Sequence, residues 1–191
     1  PTLRRKGMSA NKKLGFIVNP VAGIGGRVGL KGSDDYAIQK RALEMGAEPE
    51  APGRAARALK NISPLKENIE VITCPCDMGE EEVRGTGFET RVMGRIKQGE
   101  TTGEDTCRAA REMEQAAVDL LLFAGGDGTA RDIYRAIGDR VPVLGIPAGV
   151  KMHSAVFAIN PWNAGELARQ FLDERVTDIR IADAEVMDID E

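Results

Sequence analysis

Asp119-Leu120-Leu121-Leu122-Phe123-Ala124-Gly125-Gly126-Asp127-Gly128-Thr129 is the stretch that decides the fold. The apolar run before the glycines has strand length and no polar alternation, as expected of a strand buried on both faces of a parallel sheet. It runs directly into a glycine-rich turn. Beyond the turn, Ile133, Tyr134 and Ile137 recur at helical spacing up to Gly138, a residue suited to ending a helix. A buried strand, a glycine loop and a helix in that order form one α/β unit.

The same unit recurs outward from this stretch. Leu14-Gly15-Phe16-Ile17-Val18 reads as a buried strand bounded by Asn19-Pro20, and Val21 to Gly32 is a loop with five glycines. Ser33-Asp34-Asp35 then caps a helix expected through Ile38, Ala42 and Met45 toward Gly46. Pro49 and Pro52 break the chain before a short helix over 54–59, and Ile69–Thr73 is the next strand. Between Asp77 and Gly99, Glu80 to Arg84 favours helix and Thr90 to Met93 favours strand. Thr102 caps a further helix, with Asp105 at capping-box spacing and Ala109, Ala110, Met113 and Ala117 on the inner face. After the central stretch come a strand over Val143–Pro147, a helix from Asn160 to Leu172 with Leu167, Phe171 and Leu172 inward, and an alternating segment from Asp178 to Ile189. Strands alternating with helices predict a three-layer α/β fold, a mostly parallel sheet with helices on both faces. The expected organisation is a flexible basic leader over 1–13 and an α/β domain over 14–178. Residues 179–191 are expected to begin a strand with no closing helix.

Composition narrows the function. The 191 residues are 42% hydrophobic and 29% charged, enough for one core of domain size. Lys and Arg number 26 against 30 Asp and Glu, a net charge of −4, and only 4% of residues are aromatic. Such a chain offers neither a basic phosphate-coating surface nor stacking platforms, which argues against nucleic acid as partner. No apolar run approaches the roughly 20 residues of a membrane-spanning helix, and Arg4-Arg5-Lys6 leads into polar sequence rather than the apolar stretch of a signal peptide. Cys74, Cys76 and Cys107 are an odd set, and Cys74-Pro75-Cys76 has neither zinc nor redox spacing. They read as reduced thiols of a cytoplasmic protein with no metal-ligand set.

Glycine carries the chemistry. In open α/β sheets, ligands sit at the carboxyl ends of strands. At Gly125-Gly126-Asp127-Gly128-Thr129, glycines let the backbone approach a phosphate and the following helix offers free N–H groups. Asp127 stands at the mouth, where an acid accepts the proton of an attacking hydroxyl or helps to hold Mg2+. The plain alternative is a tight turn with Asp127 as an ordinary helix cap. Gly23, Gly25 and Gly26, flanked by Arg27 and Lys31, form a second candidate phosphate loop, although Val28 stands where a dinucleotide fingerprint has its last glycine. Asn19 is expected to orient that loop through a hydrogen bond to its backbone. A third candidate follows the next strand: Pro147, Ala148 and Gly149, with Lys151 and His153 at the start of an expected helix. There a cation reaches a phosphate or a ring nitrogen meets a substrate hydroxyl; packing or capping is the plain alternative for His153.

The Gly-Gly-Asp-Gly-Thr loop after a buried strand resembles the signature of the NAD kinases and their diacylglycerol and sphingosine kinase relatives. Phe16 to Gly23 resembles the asparagine–proline–glycine element of that superfamily, and Gly145-Ile146-Pro147-Ala148-Gly149 lies where the family places a substrate loop. The Gly26 to Gly32 insert, Thr101 to Thr106 and Pro147 to Ser154 look most like the microbial ATP-NAD kinase-like branch that includes the acetoin-catabolism protein X group. The resemblance spans residues 14–191. It implies phosphoryl transfer, with Mg2+, from ATP or polyphosphate to the adenosine ribose 2′-hydroxyl of NAD, giving NADP. By the same resemblance Asp127 is the acid–base residue and Gly125, Gly126, Gly128 and Thr129 cradle phosphate, with Asn19, Gly23, Gly25, Gly26 and Arg27 beside them. Homo-oligomers are common in the family. Its NAD kinases carry an asparagine–glutamate pair in a following β-rich domain and an asparagine-containing loop where this chain has Pro147-Ala148-Gly149. The resemblance implies that the strand begun over 179–191 would lead into such a C-terminal β-rich domain, absent here. Phosphorylation of a lipid or sugar hydroxyl, or a non-catalytic nucleotide-sensing module, is therefore the alternative.

Overall fold

The computed structural model describes residues 11–24, 46–149, 152–173 and 181–187. The helix expected over 33–46, the leader before residue 11, and Gly25, Gly26, Arg27, Lys31 and Lys151 lie outside the described residues.

Five strands form one all-parallel sheet: β1 (Lys12–Val18), β2 (Ile69–Thr73), β3 (Glu89–Val92), β4 (Leu120–Gly125) and β5 (Val143–Pro147), in the order β3-β2-β1-β4-β5. Strand β1 pairs with β2 on one side, Gly15 opposite Ile72, and with β4 on the other, Val18 opposite Ala124. The apolar run of each central strand follows from this position, because both of its faces are covered.

The period of two along a strand divides the side chains between two cores. Leu14, Phe16, Val18, Leu120, Leu122 and Ala124 pack on one face against helices α1 (Ala51–Ile62) and, beyond a short α2 (Glu80–Val83), the last helix. Ile17, Leu121 and Phe123 pack on the other face beneath α3 (Gly103–Gln115) and α4 (Asp127–Ile137). The last helix, α5 (Pro161–Leu172), lies beside α1, so closely that a Cβ on Gly165 would stand 2.3 Å from the Ala58 carbonyl oxygen. Full burial of one Leu or Phe contributes roughly 1.5–3 kcal/mol, so these two layers are the main source of stability.

Several local expectations are corrected. Lys12 and Lys13 belong to β1 rather than to a leader, because they pair with Ile69 and Glu70 of β2, and the Asp119 carboxylate accepts the Lys13 N–H at 2.8 Å. Pro52 sits in the first turn of α1, where its missing N–H has no intrahelical partner to lose, so the helix starts at Ala51. Asp105 accepts hydrogen bonds from the Thr102 N–H at 2.9 Å and from its hydroxyl at 3.0 Å, as expected, but α3 ends at Gln115. Ala117 is exposed with φ of 55°, a left-handed turn residue and not part of the inner face. Leu167 is 45% exposed, whereas Leu172 is buried. Residues 152–160 form turns and a bridge rather than a helix.

The alternating segment does not form a strand over 181–187. The outer flank of β5 is already occupied: Gly145 donates its N–H to Val156 O at 2.9 Å and accepts that of Ala158 at 3.0 Å. Residues 181–187 instead lie beside 154–155, with Ala155 N–H donating to Glu185 O at 3.0 Å. No helix among the described residues is long and apolar enough to cross a membrane.

Candidate functional site

The chain leaves β1 for β2 on one side of the sheet and β4 for β5 on the other. The carboxyl ends of β1 and β4 therefore border the crevice at which open α/β sheets bind ligands. Three segments meet there: 19–24 after β1, 125–129 at the end of β4, and 147–149 with 152–154 after β5.

Asn19 joins the first two. Its amide Nδ2 donates to Thr129 Oγ1 at 2.9 Å, its Oδ1 accepts the Val21 N–H at 3.2 Å, and its own N–H donates to Ala124 O at 2.9 Å. The expected loop-orienting role is thus present, together with an unforeseen bond to the glycine loop. Gly125 joins the second and third loops, its carbonyl accepting the Ala148 N–H at 3.0 Å. The first and third touch at Gly23, where φ is 83° and a Cβ would stand 2.0 Å from Ala148 O. Only glycine fits that approach.

The helix α4 begins at Asp127 with Gly126 in the N-cap position, and no side chain caps it. Its first-turn N–H groups take no side-chain cap, and the helix dipole there favours an anion. Asp127 is not a cap of its own helix. Its carboxylate reaches across the crevice, Oδ1 accepting the Ser154 N–H at 2.8 Å and Oδ2 the His153 N–H at 3.0 Å. Ala148 is fully buried, and Pro147 O accepts from Arg54 Nη1 at 2.9 Å, so these two residues brace the loop, while Gly149 is half-buried beside Met152. The His153 side chain is exposed.

A family model described as the ATP-NAD kinase N-terminal domain matches residues 14–176. The chain belongs to the ATP-NAD kinase N-terminal domain family. A solved structure from Bacillus anthracis str. Sterne, described as "a putative diacylglycerol kinase", is 18% identical to this chain with a TM-score of 0.39. The match covers 86% of this chain and 41% of that one, so the chain spans less than half of that protein's length. No curated protein matches the chain.

The electrostatics of Asp127 follow from its contacts. Partial burial pushes its pKa up, but the Ser154 hydroxyl, the N–H groups of His153 and Ser154 and the His153 charge outweigh that. The net effect holds the carboxyl below its ordinary value, so it is ionised at neutral pH. Among the described residues no group of three His, Cys, Asp or Glu side chains converges on a metal position. The three cysteines are free thiols, and burial, foremost, pushes Cys74 up to about 12, which leaves it unreactive.

Sequence reading missed Arg54 and Ser154. Arg54 is ion-paired with Glu50 one turn earlier and clamps Pro147, yet in the sequence it is an ordinary helical arginine. Ser154 lies next to His153, and nothing in the motif distinguishes it; only the fold brings its N–H to Asp127.

Proposed function

We propose that this domain carries the phosphate loop and the catalytic carboxylate of a kinase that phosphorylates the adenosine ribose 2′-hydroxyl of NAD, from ATP or polyphosphate, to give NADP. Membership of the ATP-NAD kinase N-terminal domain family supports a kinase-type phosphotransferase; NAD as acceptor rests on the likeness of the loop motifs. One observation carries the reading. Of the described residues in the three converging loops, Asp127 is the sole carboxylate, and it stands at the uncapped N-terminus of α4.

In the reaction, a bond forms between the acceptor oxygen and the transferred phosphorus while the bond from phosphorus to the leaving phosphate oxygen breaks. Asp127 takes the hydroxyl proton. A carboxylate held low is a weak base, which suits a loose transition state in which the proton departs late. First-turn N–H groups of α4, with Gly125, Gly126, Gly128 and Thr129, stabilise the charge on the transferring group. Each Asp127 oxygen accepts one backbone hydrogen bond and keeps a second acceptor site; Mg2+ arriving with ATP would neutralise phosphate charge. Homo-oligomers belong to the same reading, since β3 is an edge strand whose four residues are all exposed.

The test is NADP formation from NAD with Mg-ATP and, separately, polyphosphate, for the parent and Asp127→Asn. Product that falls by at least about 10²-fold in the variant, with circular dichroism unchanged, is expected. Equal turnover by Asp127→Asn refutes the role of Asp127, and consumption of ATP with a lipid or sugar but not NAD refutes the acceptor.

A further inference from the structure

We infer that Ser154 is a positioning residue through which residues 181–187 set the aim and charge of the Asp127 carboxylate. The inference deepens the proposed function and rests on it for its kinetic consequence alone.

Three consecutive backbone N–H groups are divided between the carboxylate and this segment. His153 N–H donates to Asp127 Oδ2 at 3.0 Å and Ser154 N–H to Oδ1 at 2.8 Å, while Ala155 N–H donates to Glu185 O at 3.0 Å. Ser154 is 5% exposed and also faces the segment with its side chain, Oγ accepting the Met187 N–H at 3.0 Å. Val186, between these two tethers, packs against the core beneath α3 and α4. Residues 185–187 are thereby anchored by one hydrogen bond to Ser154, one to its neighbour Ala155, and one apolar side chain to the core.

The physical consequence follows from the grip. A carboxylate with a separate N–H on each oxygen is fixed in plane, and its orientation is that of the 153–154 backbone. That backbone is in turn held by the segment. The Met187 N–H on Ser154 Oγ fixes the same residue whose backbone N–H the Asp127 carboxylate accepts. The Ser154 hydroxyl is among the groups that hold the Asp127 pKa down. Among the described residues the other charged groups on these two segments are the exposed His153 imidazole, whose positive form acts in the same direction, and the exposed Asp183 and Glu185.

The test reads Asp127 directly. In the 13C-labelled 191-residue chain, the Asp127 carboxyl resonance is identified by its loss in Asp127→Asn and titrated in the parent, Ser154→Ala and Met187→Pro. The second variant removes the tethering N–H at a residue 42% exposed, outside the core, and so carries the test if Ser154→Ala fails to fold. An upward shift of the Asp127 titration in either folded variant is expected; a titration matching the parent in both overturns the inference. In protein that forms NADP, Ser154→Ala is expected to lower kcat on the order of 10²-fold with KM for NAD unchanged. A parent that forms no NADP refutes the proposed function, and the titration still decides the role of Ser154.

Discussion

Gly23→Ala separates backbone strain from close approach at the point where the first and third loops touch. At φ of 83°, an alanine pays roughly 1–2 kcal/mol for the left-handed conformation alone. Its methyl would also stand 2.0 Å from Ala148 O, and ordinary contact begins at 3.4 Å, so the two backbones must part by about 1.4 Å. That displacement strains a fully buried residue and the Ala148–Gly125 hydrogen bond of 3.0 Å, adding roughly 1–3 kcal/mol. Gly46→Ala is the control, because φ there is 78° but nothing lies within 4 Å of the new Cβ. Thermal and urea unfolding of the two variants isolates the contact. With roughly 2–4 °C per kcal/mol for a chain of this size, and the left-handed cost common to both variants, Gly23→Ala is expected to melt about 2–12 °C below Gly46→Ala. Equal melting temperatures would refute the claim that the loops are packed against each other at Gly23.

Two further perturbations probe the scaffold. Burial, with smaller contributions from Glu81 and Asp77, raises Glu82 to about 7, and its Oε2 is buried without a hydrogen-bond partner. Between its ordinary 4.5 and 7 the folded state binds the proton more tightly than the unfolded chain, so stability falls as pH rises through that window. Glu82→Gln is expected to match the parent at pH 4 and exceed it at pH 8 by on the order of 1–2 kcal/mol after allowance for solvent screening, read from urea midpoints; a constant difference would sink the assignment. Thr129→Val removes the acceptor of the Asn19 amide at 2.9 Å with little change of shape, and a loss of about 1–2 kcal/mol is expected in urea unfolding. If Asn19→Ala added its full separate cost on top in the double variant, the two residues would not be coupled.

The layers of this protein were legible in its sequence because burial on both faces of a parallel sheet leaves a local mark. The runs around Phe16 and Phe123 are apolar without alternation, and each leads into a glycine-rich turn. Capping chemistry is local too, so Thr102 and Asp105 announced the start of α3 and Gly138 the end of α4. The glycine loop with Asp127 was equally visible, since close approach to a ligand restricts which residues serve. Errors fell where a distant neighbour decides. Asp178 to Ile189 alternates like a strand, but Val156 to Ala158 already holds the flank of β5.

What only the tertiary structure decided is what Asp127 touches and which loops surround it. The strand order β3-β2-β1-β4-β5 sets the ends of β1 and β4 side by side, which brings Asn19 to Thr129 across 110 positions of sequence. The same packing sends the Asp127 carboxylate away from its own helix to the N–H groups of His153 and Ser154. Hydrogen bonds between loops depend on the register of strands and the placement of helices, and neither is written in the local composition of the residues that make them. The sequence by itself determined the elements, their burial and the chemistry of one loop; the fold decided the constellation around it.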